Sequence, residues 1–300
     1  MKAFIALNGK KAGREDIRAA IYELREQGMD LHVRVTWEGG DLAWILDEAC
    51  RAGADRIIVG GGDGSLNEMT EALMKIPAEQ RIPMGILPLG TANDFANGNN
   101  VPLEPKAALQ LALQESAVAV DVIRVNNNHC LNMVTAGFGA KVTAETPVDL
   151  KNFLGGGAYV LSGMVQALNF VPYSGTITVD GKTYDSNVVV AALGNGRQAG
   201  GGQVLCPHAY LNDGYMDLLL IESFDVANIN TVVMELTDLK TSGEFVKRIR
   251  LKSMEAETKS DIPINLDGEP LVDRRLSIQL EPLAVEVIVP ATSPCLLPGA

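Results

Sequence analysis

Short apolar runs alternate with longer segments of helical periodicity along the first 125 residues of the chain. Five such runs predict β-strands, at residues 2–7, 31–36, 56–59, 84–88 and 119–125. Helices are predicted between them, at 14–28, at 41–53, from Ser65 to about Lys75, and as a further pair before residue 119. Alternation at this spacing indicates a parallel sheet with right-handed crossovers, so we expect a doubly wound α/β domain.

The pattern changes after Val125, where Asp-Gly pairs separate apolar or alternating runs. The pairs lie at 180–181, 213–214 and 267–268. Because Asp-Gly between such runs is a strong hairpin signal, this half is predicted to be mostly antiparallel β, a sandwich, with one helical insertion near 151–170. We therefore expect two domains, residues 1–124 and residues 125–300, with the C-terminal tail as a candidate to return to the first domain.

Composition changes this picture mainly by excluding partners. A chain with 47% hydrophobic and 21% charged residues is typical of a globular protein with a sizeable core. The net charge of −12 argues against a nucleic-acid partner and against unaided adsorption to an anionic membrane. The sequence shows no signal-peptide pattern, no membrane-spanning apolar run and no C-x-x-C pair among its four cysteines. These features predict a cytoplasmic protein with reduced thiols.

The strand at 56–59 ends in a glycine-rich turn, GGGDGSLNE (60–68), that carries Asp63 among its glycines. Turns that follow parallel strands leave the sheet at one edge, where open α/β folds bind ligands. Three other turns at this edge, at 8–13, 36–41 and 88–95, are also rich in Gly, Asn, Thr or Asp. Free backbone N–H groups and helix N-termini bind anions, so the turns predict a site for nucleotide phosphates. The alternative is that the glycines only let a helix pack close to a strand.

Two stretches together carry a family resemblance. GGGDGSLNE and the later PLGTANDFA (88–96) resemble the diacylglycerol kinase catalytic domain and its bacterial lipid-kinase relatives. The resemblance extends through ETP (145–147), GNGRQAGGG (194–202) and LDGEP (266–270) to nearly the whole chain. GGDG alone also occurs in NAD kinases and phosphofructokinases, whereas its combination with PLGTANDFA is more specific. The Rossmann and Walker glycine patterns are absent from the turn.

The resemblance implies a two-domain lipid kinase that holds ATP on the α/β domain and completes its cleft with the β-sandwich. It implies ATP contacts at Thr36, Gly62, Asp63, Gly64, Ser65, Leu66, Asn67, Glu68 and Thr91. It also implies a structural metal site for Mg²⁺, or alternatively Ca²⁺, within YLNDGY (210–215). There Asp213 would supply its carboxylate, and Tyr210 and Tyr215 their carbonyl oxygens. The catalytic carboxylate of the family corresponds to Glu269 in LDGEP.

Two carboxylates carry the predicted chemistry. A lipid hydroxyl loses a proton as it attacks the γ-phosphate, and Glu269 follows a tight turn that suits a general base. Asp63 is predicted to hold Mg²⁺ directly or through water, and this cation would offset the repulsion between the carboxylate and the phosphates. Its other interpretations are a share in base catalysis or a cap on the helix that begins near Ser65. Glu269 is alternatively a solvated acid at a hairpin tip, and Glu68 a capping-box partner.

The resulting hypothesis is an ATP- and Mg²⁺-dependent kinase acting on a glycerolipid or phospholipid hydroxyl, with peripheral contact to the inner face of the membrane. A first rival is an NAD kinase-like enzyme with the same phosphate site, which PLGTANDFA argues against. A second is a non-catalytic nucleotide or lipid sensor, which the retained carboxylates Asp63, Asp213 and Glu269 argue against. The acceptor lipid and the oligomeric state stay open.

Overall fold

The structure, a computed structural model, describes residues 1–137, 171–238 and 242–298. The chain divides into two compact units. Unit 1 consists of Met1–Val122, Leu211–Asp213 and Pro282–Ala300. Unit 2 consists of Ile123–Tyr210 and Gly214–Glu281. The helical insertion predicted near 151–170 and the ETP stretch at 145–147 lie outside the described residues, and the boundary predicted between residues 124 and 125 stays a prediction.

Unit 1 follows the predicted alternation of strands and helices. Its elements are β1 (Lys2–Asn8), α1 (Glu15–Glu26), β2 (Asp30–Thr36), α2 (Asp41–Arg51), β3 (Arg56–Gly61), α3 (Asp63–Met74), β4 (Met84–Pro88), α4 (Asp94–Gly98), α5 (Pro105–Gln114) and the first part of β5 (Val118–Val125). The strands pair in parallel in the order β4-β3-β1-β2. At the other edge of β4, Val287 pairs in parallel with Met84.

The strands β1, β3 and β4 are almost wholly buried because helices cover both faces of the sheet, whereas the edge strand β2 is partly exposed. Helix α1 packs against α5, and α2 packs against α3. Residues Ala3 to Leu7 of β1 are all buried, as expected for a strand enclosed on both sides. The turns after β1, β2, β3 and β4 therefore leave the sheet at one edge, as the sequence predicted. This edge carries the candidate nucleotide site.

Unit 2 is mostly antiparallel. Its described elements are the end of β5, β6 (Asn128–Cys130), β7 (Met133–Gly137), β8 (Tyr173–Val179), β9 (Lys182–Gly194), β10 (Gln198–Ala199), β11 (Gln203–Val204), β12 (Met216–Glu222), α6 (Ile229–Thr237), β13 (Val246–Leu251), β14 (Ser253–Leu266) and most of β15 (Glu269–Val287). Strand β9 pairs with β7, β8 and β12, and β14 pairs with β7, β8 and β15. Apolar residues on these strands form two buried clusters.

Two of the three Asp-Gly hairpin predictions are confirmed. The pairs Asp180–Gly181 and Asp267–Gly268 join β8 to β9 and β14 to β15, and both residues of each pair have positive φ angles. The prediction at Asp213–Gly214 is wrong, because no strand precedes this turn and pairs across it among the described residues. The residues before it are irregular, so the turn leads into β12 without closing a hairpin.

Candidate active site

The turn between β3 and α3 forms the first part of the candidate site. Gly62 is extended, and α3 begins at Asp63, two residues before the predicted start at Ser65. The N–H groups of Ser65 and Leu66 both donate to the Gly62 carbonyl, at 3.0 and 3.1 Å. The first N–H groups of a helix have no carbonyl partner within it, and the helix dipole favours an anion there.

The turn between β4 and α4 lies directly against this glycine turn. Leu89 N donates to Gly61 O at 2.8 Å. A Cβ atom on Gly90 would lie 2.5 Å from the Gly62 Cα, so only glycine permits this approach. Asn93, at φ 51°, closes the turn, since its Oδ1 accepts from Gly90 N at 2.8 Å. Thr91, one of the predicted ATP contacts, is exposed within this turn.

Asp63 ties the two turns together. Its Oδ2 accepts from Asp94 N at 3.1 Å and its Oδ1 from Phe95 N at 3.0 Å. The carboxylate thus binds the N–H groups at the start of α4, whereas the sequence had offered it as a cap on its own helix. Burial raises the pKa of the Asp63 carboxyl, and the charge of Asp94 adds to this rise against the two backbone hydrogen bonds. Asp63 holds the PLGTANDFA turn against the glycine turn.

The turn between β2 and α2 also contacts α3, the helix that starts at the glycine turn. Glu68 Oε1 accepts from Gly40 N at 2.8 Å, so this carboxylate connects α3 to the turn. Asp41 Oδ2 accepts from the N–H groups of Trp37 and Glu38, at 2.6 and 3.0 Å, and these bonds lower the pKa of Asp41. A further contact joins the turn after β1 to the end of β2, since Gly9 N donates to Thr36 Oγ1 at 3.4 Å.

The predicted ATP contacts differ in exposure. Gly62, Gly64 and Ser65 are partly exposed, whereas Leu66 and Asn67 are buried. Asn67 Oδ1 has no hydrogen-bond partner within the part of the chain that the structure describes. A buried acceptor left unpaired costs about 1–3 kcal/mol, so this atom fits a site that receives a donor from a ligand or its water.

The segment that carries Asp213 is fixed within unit 1. Leu211 N donates to Cys295 O at 2.8 Å, and Asn212 Oδ1 accepts from Leu297 N at 2.9 Å. Asp213 itself is partly exposed. The described ranges contain no group of three or more His, Cys, Asp or Glu side chains placed to hold a metal. One carboxylate with carbonyl oxygens is nevertheless a donor set that hard cations accept.

Tyr210 and Tyr215, the other two predicted metal ligands, belong to unit 2. Arg197 lies 4.9 Å from the centre of the Tyr210 ring, and Arg250 lies 4.4 Å from that of Tyr215. Lys252 also lies 4.8 Å from the Tyr215 ring. Both rings thus contact cations, and the metal-binding role predicted for the backbone carbonyls of these residues stays a prediction.

Glu269 stands exposed at the start of β15, on a turn that is firmly held. The buried carboxylate of Asp267 accepts from the N–H groups of Leu131, Asn132 and Met133, at 2.9, 2.9 and 2.8 Å. Sequence reasoning missed this contact, although an Asp at the first position of a turn is a frequent acceptor for backbone N–H groups. Asp267 therefore fixes the backbone that carries Glu269.

The GNGRQAGGG stretch contains β10 and leads into its antiparallel partner β11. Asn195 N and Gly196 N both donate to Asn132 O at 2.9 Å. A Cβ atom on Gly196 would lie 2.0 Å from Asn132 Oδ1, which accounts for the glycine. This loop, the residues after β6 and the Asp267 turn, which precedes Glu269, are connected by these hydrogen bonds.

These features define a class of protein: an α/β unit with paired glycine turns suited to phosphate, joined to an antiparallel β unit with an exposed carboxylate. Residues 2–125 match the diacylglycerol kinase catalytic domain, and residues 132–289 match the YegS C-terminal NAD kinase beta sandwich-like domain. The chain therefore belongs to the YegS-like family of proteins with a diacylglycerol kinase catalytic domain. The predicted family and two-domain fold are confirmed.

The similarity spans nearly the whole chain. The chain is 43% identical to a "probable lipid kinase YegS-like" protein of Shewanella frigidimarina, over 98% of this chain and 95% of that one. A protein of the same description from Chromohalobacter salexigens is 42% identical, over 97% and 94%. A crystal structure titled as a putative diacylglycerol kinase from Bacillus anthracis matches with a TM-score of 0.80 and 28% identity, over 97% of this chain and 98% of that one.

Proposed function

We propose that this protein is an ATP-dependent lipid kinase that transfers the γ-phosphate to a hydroxyl of a glycerolipid or phospholipid. The observation that supports it most is the contact between the turns at Gly62 and Gly90, held by Asp63, in a chain of this family. The glycine turn presents the N-terminus of α3 to phosphate, and the second turn holds it in place. Phosphoryl transfer requires mainly this kind of positioning and charge neutralisation.

Glu269 is the proposed general base. As the acceptor oxygen bonds to the γ-phosphorus and the bond to ADP breaks, the hydroxyl proton passes to the Glu269 carboxylate. The held turn at Asp267 supports this role, because a base acts efficiently only when its backbone is fixed. Thr36, Thr91 and the residues from Gly62 to Glu68 remain the proposed ATP contacts, with the buried Leu66 limited to its backbone.

Magnesium is part of the proposal. When bound, Mg²⁺ would neutralise phosphate charge and help to orient the phosphates. Asp63 would hold the ion directly or through water, because each of its oxygens keeps a second lone pair beside the one that accepts a backbone N–H. Asp213 is the proposed carboxylate ligand of the second cation, with Ca²⁺ as the alternative ion at that site.

We predict that Asp213→Ala lowers activity by weakening metal binding, with the chemical step itself unaffected. Excess Mg²⁺ should then restore much of the rate by mass action, whereas it should not restore Glu269→Gln. The measurement is the rate as a function of Mg²⁺ concentration for both variants. Full activity of Asp213→Ala with an unchanged metal requirement would contradict the role of this residue.

The proposed acceptor lies in a membrane, which the protein would approach from the cytoplasm as a peripheral enzyme. Within the described residues, no helix has the length and apolarity needed to cross a bilayer. All four cysteines are free thiols.

The deciding experiment is incubation with labelled ATP and a panel of bacterial lipids, followed by identification of the labelled product. We expect a phosphorylated lipid. NAD belongs in the panel because the second half matches a domain described as NAD kinase-like. A labelled NADP product would identify NAD, and not a lipid, as the acceptor. ATP binding without any labelled product would favour a non-catalytic sensor.

A further inference from the structure

Trp37 is the most exposed of the large apolar residues among the described residues, with 95% of its surface accessible. A single exposed apolar side chain needs no explanation by itself. The backbone beneath Trp37, however, is held in place. Asp41 binds the N–H groups of Trp37 and Glu38, and Glu68 binds that of Gly40. The indole ring is therefore presented to solvent by a turn that three hydrogen bonds fix.

The turn of Trp37 belongs to the same edge of the sheet as the phosphate site. Strand β1 separates β2 from β3, so the turns after β2 and β3 are two strand spacings apart, about 10 Å. That distance suits a nucleotide whose phosphates lie at one turn and whose base lies at the other. Glu68 spans the interval directly, since it is part of α3 and contacts Gly40.

We propose that the indole of Trp37 stacks on the adenine ring of ATP whose phosphates bind at the turn from Gly62 to Ser65. The inference rests on the proposed function and adds to it a residue that binds the base. An indole ring offers a large apolar face that needs no partner from the protein and suits a flat aromatic ligand. Stacking is tolerant of base identity, so this contact gives affinity for a purine ring and little discrimination of ATP from GTP.

A membrane surface is the competing occupant for an exposed tryptophan, and the acidic charges of its own turn argue against it, although Lys10 and Lys11 lie in the neighbouring turn after β1. Glu38 and Asp41 lie within the same turn, and Glu68 contacts it. Segments that dock on anionic lipid surfaces are instead rich in Lys and Arg. Acidic neighbours leave the ring suited to a base whose phosphates are neutralised elsewhere.

The chain allows a direct test because it contains two tryptophans, Trp37 and Trp44. Trp44, on α2, is 60% exposed and serves as the matched control. In Trp44→Phe, Trp37 is the one remaining indole, and ADP or ATP should quench its fluorescence on binding. Inorganic tripolyphosphate, which lacks a base, should bind by calorimetry and leave this fluorescence unchanged.

The affinity measurements separate base from phosphate binding. Trp37→Ala should weaken ATP and ADP about ten- to a hundredfold, the usual loss when an aromatic stacking partner is removed. Its tripolyphosphate affinity should equal that of the wild type. Trp37→Phe should lose less affinity for ATP and ADP, because it keeps an aromatic face. Trp44→Ala should bind ATP, ADP and tripolyphosphate with normal affinity. Far-UV circular dichroism checks that each variant is folded.

Equal ATP affinity of wild type and Trp37→Ala would overturn this inference and leave the proposed kinase activity intact. An absence of ATP binding in the wild type would overturn both. If vesicles of phosphatidylcholine and phosphatidylglycerol shift the Trp37 emission while Trp37→Ala keeps normal ATP affinity, the ring contacts lipid and the inference is also overturned. Tripolyphosphate affinity that falls with ATP affinity in Trp37→Ala would show a distorted phosphate site and would count against base stacking.

Discussion

The Asp63 carboxylate has two features that bear on its role. It accepts hydrogen bonds from the N–H groups of Asp94 and Phe95, and it lies beside the turn proposed to bind phosphate. Because burial and the nearby Asp94 raise its pKa, the ionised form is disfavoured relative to water. A cation close to it would reverse this effect, which is one reason to expect metal and nucleotide to bind together at this turn.

Asp63→Asn tests the structural part of this role. The amide can accept one of the two backbone N–H groups, and the other then faces an NH₂ group, so we expect a loss of about 1–3 kcal/mol in the free energy of unfolding. The raised folded-state pKa gives a sign as well. The stabilisation that results from the pKa shift of Asp63 is fully present below the pKa of the unfolded state, which is about 3.9. It is lost as the pH rises through the pKa of the folded state. The stability advantage of wild type over the variant should therefore grow on acidification from pH 7, and a shrinking advantage would contradict it.

Glu269→Gln tests the general base. The amide keeps the size of the side chain but cannot accept the proton, so lipid phosphorylation should fall about a hundredfold or more while ATP affinity survives. The matched control is Glu255→Gln, another exposed carboxylate in the same antiparallel unit, which should keep normal turnover. Near-normal turnover of Glu269→Gln, measured at saturating lipid, would show that Glu269 is only a solvated acid at a hairpin tip.

At the scale of elements, the periodicity of the first half predicted its strands and helices to within a few residues. The reason is physical: parallel strands covered on both faces must be apolar throughout, and each covering helix needs a regular apolar face. The start of α3 was misplaced because Gly62 is extended and lets the helix begin directly at Asp63. A glycine run does not reveal which of its members takes up the helical conformation.

Contacts between elements could not be predicted from the sequence. Asp63 binds α4, Glu68 binds the turn after β2, and Asp267 binds the residues after β6, each over many residues of separation. A carboxylate in a turn signals that it will accept N–H groups, but its partner depends on how the chain folds back. The same limit explains Asp213–Gly214, whose composition is that of a hairpin while the described residues contain no preceding strand that pairs across it.

Gly90→Ala tests the contact between the two glycine turns. The added methyl group would lie 2.5 Å from the Gly62 Cα, a backbone atom that cannot move aside without displacing the proposed phosphate site. We expect about 1–3 kcal/mol of destabilisation and at least a tenfold loss of ATP affinity. Gly13→Ala is the control for stability, because a Cβ there meets nothing within 4 Å and should change the free energy of unfolding by about 0.5 kcal/mol or less. Normal ATP affinity of Gly90→Ala would show that the close approach is not needed for binding.

At the scale of the whole molecule, the net acidic charge bears on how the protein would approach a membrane that holds its proposed substrate. The chain carries 37 acidic and 25 basic side chains, so an anionic surface should repel it at long range. A kinase that acts on membrane lipids must then dock by local contacts that act once the surface is near. The charge therefore predicts a dependence of activity on vesicle composition and on salt together.

The expected result is that raising the fraction of phosphatidylglycerol in phosphatidylcholine vesicles, at a constant content of neutral acceptor lipid, slows phosphorylation a few-fold at an ionic strength of about 0.01 M. At about 0.15 M the Debye length falls from about 30 Å to about 8 Å, so most of the inhibition should disappear. Vesicles of pure phosphatidylcholine with the same acceptor provide the control, because their rate should change little over this range of salt. A rate that instead rises with phosphatidylglycerol at low salt would mean that a local basic surface, and not the net charge of −12, governs docking.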